Sequence, residues 1–253
     1  MMCIPILRYN HIRDMQDSYS VSPSVFEKQV RYLQSKSYQF LGFDDLLLYK
    51  KDGEVINKKC ILLTFDIAWR DIYMNAYEIL KKYNLKAGLF VVTEWVDEAS
   101  RLERDYVQIP HNECKNALLD NARGVMCNWD EIRAMKDVFS MGSMTHTYQF
   151  SNATSPMTWH EDFELSRRLI KERLDVDTKH LAWPDGSYNQ GLLRSAKSIG
   201  YEVFYTMDEG LNHPTDNNDA LKRYTARDSL FWLKKYLFAT SSTRNFVIGK
   251  IFL

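Results

Sequence analysis

The chain has 253 residues, of which 45% are hydrophobic, 13% aromatic and 26% charged, with only 10 Gly and 6 Pro. That balance excludes disordered, collagen-like and disulfide-scaffold classes and leaves an ordinary globular protein with a sizeable core, of a length that large α/β folds reach as one unit. Lysine plus arginine and aspartate plus glutamate each total 33, so no net field steers the chain to nucleic acid or an anionic membrane, and a neutral partner such as a sugar is compatible.

The N-terminal MMCIPILRYN has an apolar run too short for a signal-peptide core, and no later run reaches membrane-spanning length. Cys3, Cys60, Cys114 and Cys127 are scattered without a C-x-x-C pair. Together these features predict reduced thiols and a cytoplasmic protein.

CIPILRY reads as a buried first strand. SPSVFEKQVRYLQSK follows as a helix, with Ser24 and Glu27 as its capping box and Phe26, Val30 and Leu33 on one face. YQFLGF is the next strand, DDLLLYKK a short helix, and KKDGEVINKK a polar turn before the strand CILLTF. In DIYMNAYEILKKYN the residues Ile72, Ala76, Ile79 and Tyr83 keep helical spacing, and LKAGLFVVT is a β-branched central strand. Residues 97–127 show little periodicity and are expected to be an inserted loop region with one helical turn. WDEIRAMKD and WHEDFELSRRLIKERL are helical, with FSMGSM and KHLAWP as strands between and after them. GLLRSAKSIG is a helix stopped at Gly200, and YEVFYT is the strand behind it. Alternating strands and helices argue for a parallel sheet with helices outside. The expectation is an α/β fold, a distorted (β/α) barrel forming a single domain over 1–253.

Asp66 stands where the strand CILLTF ends. Strand ends of α/β proteins collect catalytic groups, while Asp is also a favoured N-cap for a helix beginning near Trp69. Both readings are open on this stretch alone.

In order, LRYNHI, VSPSVFEKQVRYL, ILLTFDIAWRD, NLKAGLFVVTEWV, WDEIRAM, MGSMTHTYQF, HLAWPDGSYN and GYEVFYTMDEGLN resemble the polysaccharide deacetylase family, the NodB-homology domain of carbohydrate esterase family 4. The branch acting on poly-N-acetylglucosamine is the nearest. The resemblance runs from about Ile4 to about Asp228. It implies a deacetylase fold, an N-acetylated sugar or oligosaccharide as ligand, and Asp66 as general base. In the family a T-F-D-D-G strand end and an H-[ST]-x-x-x-H segment supply one Asp and two His to a divalent metal, which polarises the acetamide and binds the attacking water.

Here Ile67 replaces the metal-binding Asp, and Met144 and Tyr148 stand where the two histidines belong. An alkyl group, a thioether and a phenol do not make a zinc site. The resemblance therefore implies no metal cofactor, with a divalent ion such as zinc as the alternative if His146 has taken over in a rearranged site. Helical geometry would turn His146 to the opposite side. In LAWPDGSYN, Pro184 and Gly186 shape a turn whose Asp185 backbone N–H corresponds to the family's oxyanion donor. Asn10 occupies a place where related deacetylases often show His, and His11 remains beside it. His213 lies in a polar turn, and nothing matches the family's later general-acid histidine.

Trp183, Tyr148, Tyr188 and Trp69 are candidates for an aromatic floor under a sugar, joined by His11 and Asp185 as substrate contacts. Two functions follow. One is a degenerate, metal-free sugar-binding or accessory protein, with a polysaccharide-assembly enzyme as a possible partner. The other is an active de-N-acetylase that works through Asp66 with an unusual metal or none.

Overall fold

The computed structural model describes residues 3–51, 59–149, 157–213 and 215–241. Most of the polar turn expected at 50–59 lies outside them. The strands are β1 (Ile6–Tyr9), β2 (His11–Ile12), β3 (Ser20–Val21), β4 (Gln39–Phe40), β5 (Cys60–Phe65), β6 (Ala87–Val91), β7 (Phe139–Ser143), β8 (His180–Ala182), β9 (Val203–Tyr205) and β10 (Tyr224–Thr225). The helices are α1 (Pro23–Ser35), α2 (Phe43–Lys51), α3 (Glu78–Lys82), α4 (Thr93–Ser100), α5 (His111–Val125), α6 (Trp129–Ala134), α7 (Trp159–Leu174), α8 (Gln190–Ile199) and α9 (Leu230–Ser241).

The main sheet runs β10-β1-β5-β6-β7-β8-β9, and every pairing in it is parallel. β4 pairs with the first residues of β5, while β6 pairs with its last. All residues of β1, β5 and β6 are buried, as expected of parallel strands covered on both faces. The sheet curls because the segment before β10 also meets β9: Thr206 N–H donates to the Leu221 carbonyl, and Leu221 N–H to that of Phe204. Residues 221–225 thus bridge β9 to β1 across the seam of a distorted barrel, and Arg223 stands at that seam.

Parallel pairing sets all strand C-termini on one edge. Asn10 follows β1, Asp66 follows β5, Met144 follows β7 and Trp183 follows β8, so one mouth gathers residues far apart in sequence. Strand neighbours lie about 4.8 Å apart, so Asp66 and Met144 follow strands whose axes are about 10 Å apart on the same edge.

Several expectations change. Helix α1 starts one residue after Ser22, whose side chain makes no cap bond, and Glu27 instead accepts from Lys82 and Tyr83. Pro23 at the first helical position explains the earlier start, since its missing N–H needs no partner there. The strand YQFLGF shrinks to two residues because α2 already begins at Phe43. The helix after β5 opens as a π-helical segment, Ile72–Tyr77. The region 97–127 is no structureless loop: it holds the end of α4 and all of α5. Gly200 ends α8 as expected, in the left-handed region at φ 103°.

Candidate functional site

The mouth is organised by charge. Asp66, 1% exposed, caps no helix; its two oxygens accept from Arg223 Nη1 at 2.6 Å and Nη2 at 3.1 Å. A planar guanidinium matches a carboxylate in this two-pronged way better than any other side chain. Arg223 is held from behind, its Nε donating to the Thr206 carbonyl at 3.0 Å and its Nη1 also reaching Thr64 Oγ1 at 3.3 Å. A second guanidinium, Arg8 on β1, places Nη1 4.0 Å from Asp66 Oδ2 and donates from Nη2 to Thr225 Oγ1 at 2.8 Å. Burial, followed in size by the attraction of Asp66 and the repulsion of Arg223, leaves the Arg8 pKa below its ordinary value.

Ile67 and Ala68 follow with φ of 76° and 63°. The left-handed region is uncommon for side-chain-bearing residues and a true outlier for a β-branched one. The turn is fixed from outside, by Asp66 N–H donating to the Tyr9 carbonyl and Cys127 N–H to that of Ala68. Asp and Gly, the residues of the T-F-D-D-G pattern, would occupy these positions with less strain.

Met144 is 1% exposed. The residues after it form a loop rather than a helix, with Thr145 and Tyr148 at φ 65° and 54°. The helical argument about His146 therefore does not apply. His146 is held by other partners, with Nδ1 2.8 Å from Thr93 Oγ1 and its backbone N–H donating to Asp162 at 2.6 Å. Tyr148 packs on Trp95 at 5.0 Å under the Lys115 ammonium. Burial pushes its phenol pKa up, helped by the negative charges of Asp185 and Asp66. That coupling ties Tyr148 to the same mouth.

The aromatic floor needs correction. Trp183 is fully buried, stacked between Tyr188 at 5.0 Å and Phe204 at 5.6 Å, so no ring face remains for a sugar. Trp69 is fully buried as well. Tyr188, half-buried, and exposed Asp185 lie in and beside the turn Pro184–Gly186, with Asp185 at φ 51°. His11 is also no substrate contact: it is fully buried, with Nδ1 2.7 Å from Asp71 and Nε2 2.9 Å from His111. Asp71 also accepts from the Ile12 N–H at 2.7 Å. Tyr19 covers His111 with stacked rings 3.9 Å apart. His213 sits in an exposed turn with Thr215 and Asp216.

A divalent cation does not fit these donors. Ile67 offers no lone pair, Met144 only a thioether and Tyr148 a phenol held protonated by burial, while the nearby carboxylate is already engaged by a guanidinium. Among the described residues no three His, Cys, Asp or Glu side chains converge to hold a metal ion.

Arg8 and Arg223 were absent from the sequence-derived site. Arg8 carries a signal, being a lone charge in the buried run IPILRY; Arg223, in LKRYT, carries none.

The polysaccharide deacetylase family model matches residues 54–204. The poly-β-1,6-N-acetyl-D-glucosamine N-deacetylase of Staphylococcus aureus (strain MSSA476) is 29% identical over 224 residues, covering 85% of this chain and 70% of the relative. The Streptococcus pyogenes deacetylase PplD, solved in complex with acetate, shares the fold with a TM-score of 0.78 at 24% identity, over 94% of this chain and 98% of that one. IcaB from Ammonifex degensii does so with a TM-score of 0.74 at 19% identity, over 95% and 97%.

Proposed function

Because the chain belongs to the polysaccharide deacetylase family, we propose that it is a metal-free member that binds an N-acetylated sugar or oligosaccharide, as an accessory protein in polysaccharide or glycan biosynthesis. The observation that carries this reading is the replacement of all three expected ligands, by Ile67, Met144 and Tyr148, beside a carboxylate clamped by Arg223. Both oxygens of that aspartate already accept hydrogen bonds from one guanidinium. Water activation then lacks both its Lewis acid and a free base.

The relative from Staphylococcus aureus is named for acting on poly-β-1,6-N-acetylglucosamine, which supports the sugar class. A polysaccharide-assembly enzyme is the kind of partner such a protein would serve. The scattered cysteines of this chain, without a C-x-x-C pair, support a reducing compartment, the cytoplasm. No helix among the described residues is long and apolar enough to cross a membrane.

The test restores the lost donors. Wild-type protein, dialysed and analysed by elemental mass spectrometry, is expected to hold no stoichiometric zinc and to release no chelator-sensitive acetate from acetylated chitooligosaccharides. The triple variant Ile67→Asp, Met144→His, Tyr148→His is expected to gain zinc. Its affinity will be modest, since unsupported ligands lose roughly 10–100-fold, and the two arginines oppose a cation. One zinc per wild-type chain, or chelator-sensitive acetate release by it, would return the chain to the working deacetylases.

A further inference from the structure

The arginine cluster at the mouth is not balanced. Asp66 carries one negative charge against the positive charges of Arg8 and Arg223. Arg223 donates from each of its three nitrogens, to Asp66, Thr64 and the Thr206 carbonyl. Arg8 does not. Its residue is 7% exposed, and among the described residues its Nε is buried with no hydrogen-bond partner and its single hydrogen bond goes to the neutral Thr225 hydroxyl. Its Nη1 stands 4.0 Å from Asp66 Oδ2, beyond hydrogen-bond reach.

Burying a guanidinium costs free energy unless donors and charge are matched. Arg223 meets that condition and Arg8 falls short of it. A merely structural residue at this β1 position would be better served by an apolar side chain, as its neighbours Leu7 and Tyr9 are. A buried cation with spare donors, part of whose side chain still reaches the mouth (9% exposed), is what recognition of an anion requires. Asp185 opposes an anion there, but it is exposed at the rim and screened by water, whereas the charge on Arg8 is not.

We propose that the ligand of this mouth carries an anionic group, a carboxylate or a phosphate monoester, and that Arg8 is the residue that receives it. The inference rests on the reading of a retained sugar site and narrows it from neutral to acidic or phosphorylated sugars. The anion completes the charge balance that Asp66 leaves unfinished and accepts from the free Arg8 donors.

The experiment is calorimetric titration at low salt with N-acetylglucosamine, N-acetylglucosamine 1-phosphate, glucuronate and inorganic phosphate. At least one charged sugar is expected to bind about tenfold or more tighter than the neutral one, the size of one charge-assisted hydrogen bond. Comparing the phosphate with the carboxylate says which anion is meant. Arg8→Met, which keeps the apolar stem, is expected to abolish the preference and to melt at the same or a higher temperature than wild type. Arg8→Lys keeps the charge without the fork and should retain a weakened preference.

Equal binding of charged and neutral sugars would overturn the anion site and leave the sugar site standing. An undiminished preference in Arg8→Met would also overturn it. Arg8-dependent phosphate binding without any sugar binding would keep the anion site and remove the sugar. Should Arg8→Met fail to fold while Arg8→Lys folds and binds charged and neutral sugars alike, Arg8 is a structural counter-charge and the proposal falls.

Discussion

Asp66 and Asp71 are both 1% exposed and both belong to the connection leaving β5, yet they are solved in opposite ways. Asp71 sits in a closed circuit: its oxygens take the Ile12 N–H and His11, and His11 passes its other nitrogen to His111. Asp66 faces more positive charge than it can neutralise, one arginine bound in two places and a second left short of partners. Closed polar networks fix a structure, while one with a surplus donor keeps room for something that is not part of the chain. The first circuit ties helix α5 to β2 beside the mouth; the second is where a ligand would enter.

Removing each carboxylate should therefore have different consequences. Asp66→Asn leaves two guanidiniums without a counter-charge in the barrel, and breaking a buried pair in this manner costs about 3–5 kcal/mol. Asp71→Asn keeps one acceptor oxygen, so a loss of about 2 kcal/mol is expected, that of one buried hydrogen-bonding group. Urea denaturation of the two variants beside wild type measures both. If Asp66→Asn costs less than Asp71→Asn, the mouth is more hydrated than its burial indicates and the contrast dissolves.

Acid should act on the closed circuit. Burial, then the neighbouring His11 imidazole, lowers the His111 pKa to about 4, with Lys115 and Arg13 acting in the same sense and Asp17 against it. The folded chain therefore holds a neutral imidazole whose unfolded counterpart titrates near the ordinary ~6.5. Between those values the unfolded state binds more protons, so stability is full above about pH 6.5 and falls as the pH drops toward 4. His111 is partly open to water, which screens its charge and limits the loss to about 1 kcal/mol. Thermal melts from pH 7.5 to 4 should show this loss, and His111→Gln should flatten it. An unchanged acid slope in that variant would assign the sensitivity to other groups, His180 first, whose pKa burial lowers to about 3.

The alternation of strand and helix, the mouth and the position of Asp66 at its edge were legible in the sequence, because a parallel barrel writes itself as apolar runs such as CILLTF and GLFVV. Helix α5 was harder to read. Its buried face is built from Cys114, Ala122 and Val125, small and sulfur-bearing side chains that weaken an aliphatic period. The loop after β7 looked helical because the spacing of Met144 and Tyr148 fits a helix, but positive φ at Thr145 and Tyr148 breaks it. Trp183 could have been floor or core from sequence alone; only its stacking partners decide for core. The arginines escaped notice because Arg223 reaches Asp66 from 157 positions away, a separation that local pattern does not encode.

The smallest expected effect concerns the turn that joins the two carboxylates. Ala68 is fully buried and holds φ 63° directly after Ile67 at φ 76°. A left-handed conformation costs a side-chain-bearing residue roughly 1–2 kcal/mol, and glycine escapes that cost. Ala68→Gly also removes one buried methyl, worth about 0.8 kcal/mol, and frees the unfolded chain by up to about 1 kcal/mol. The terms nearly cancel, which separates this site from an ordinary buried alanine, where the same change would be plainly destabilising. The expected result is a stability within about 1 kcal/mol of wild type, by urea denaturation, with Ala76→Gly in the helical segment behind it as the control that loses more. If Ala68→Gly loses as much as Ala76→Gly, the turn carries no left-handed strain, and its conformation cannot be read as one suited to the Asp-Gly pair of the T-F-D-D-G pattern.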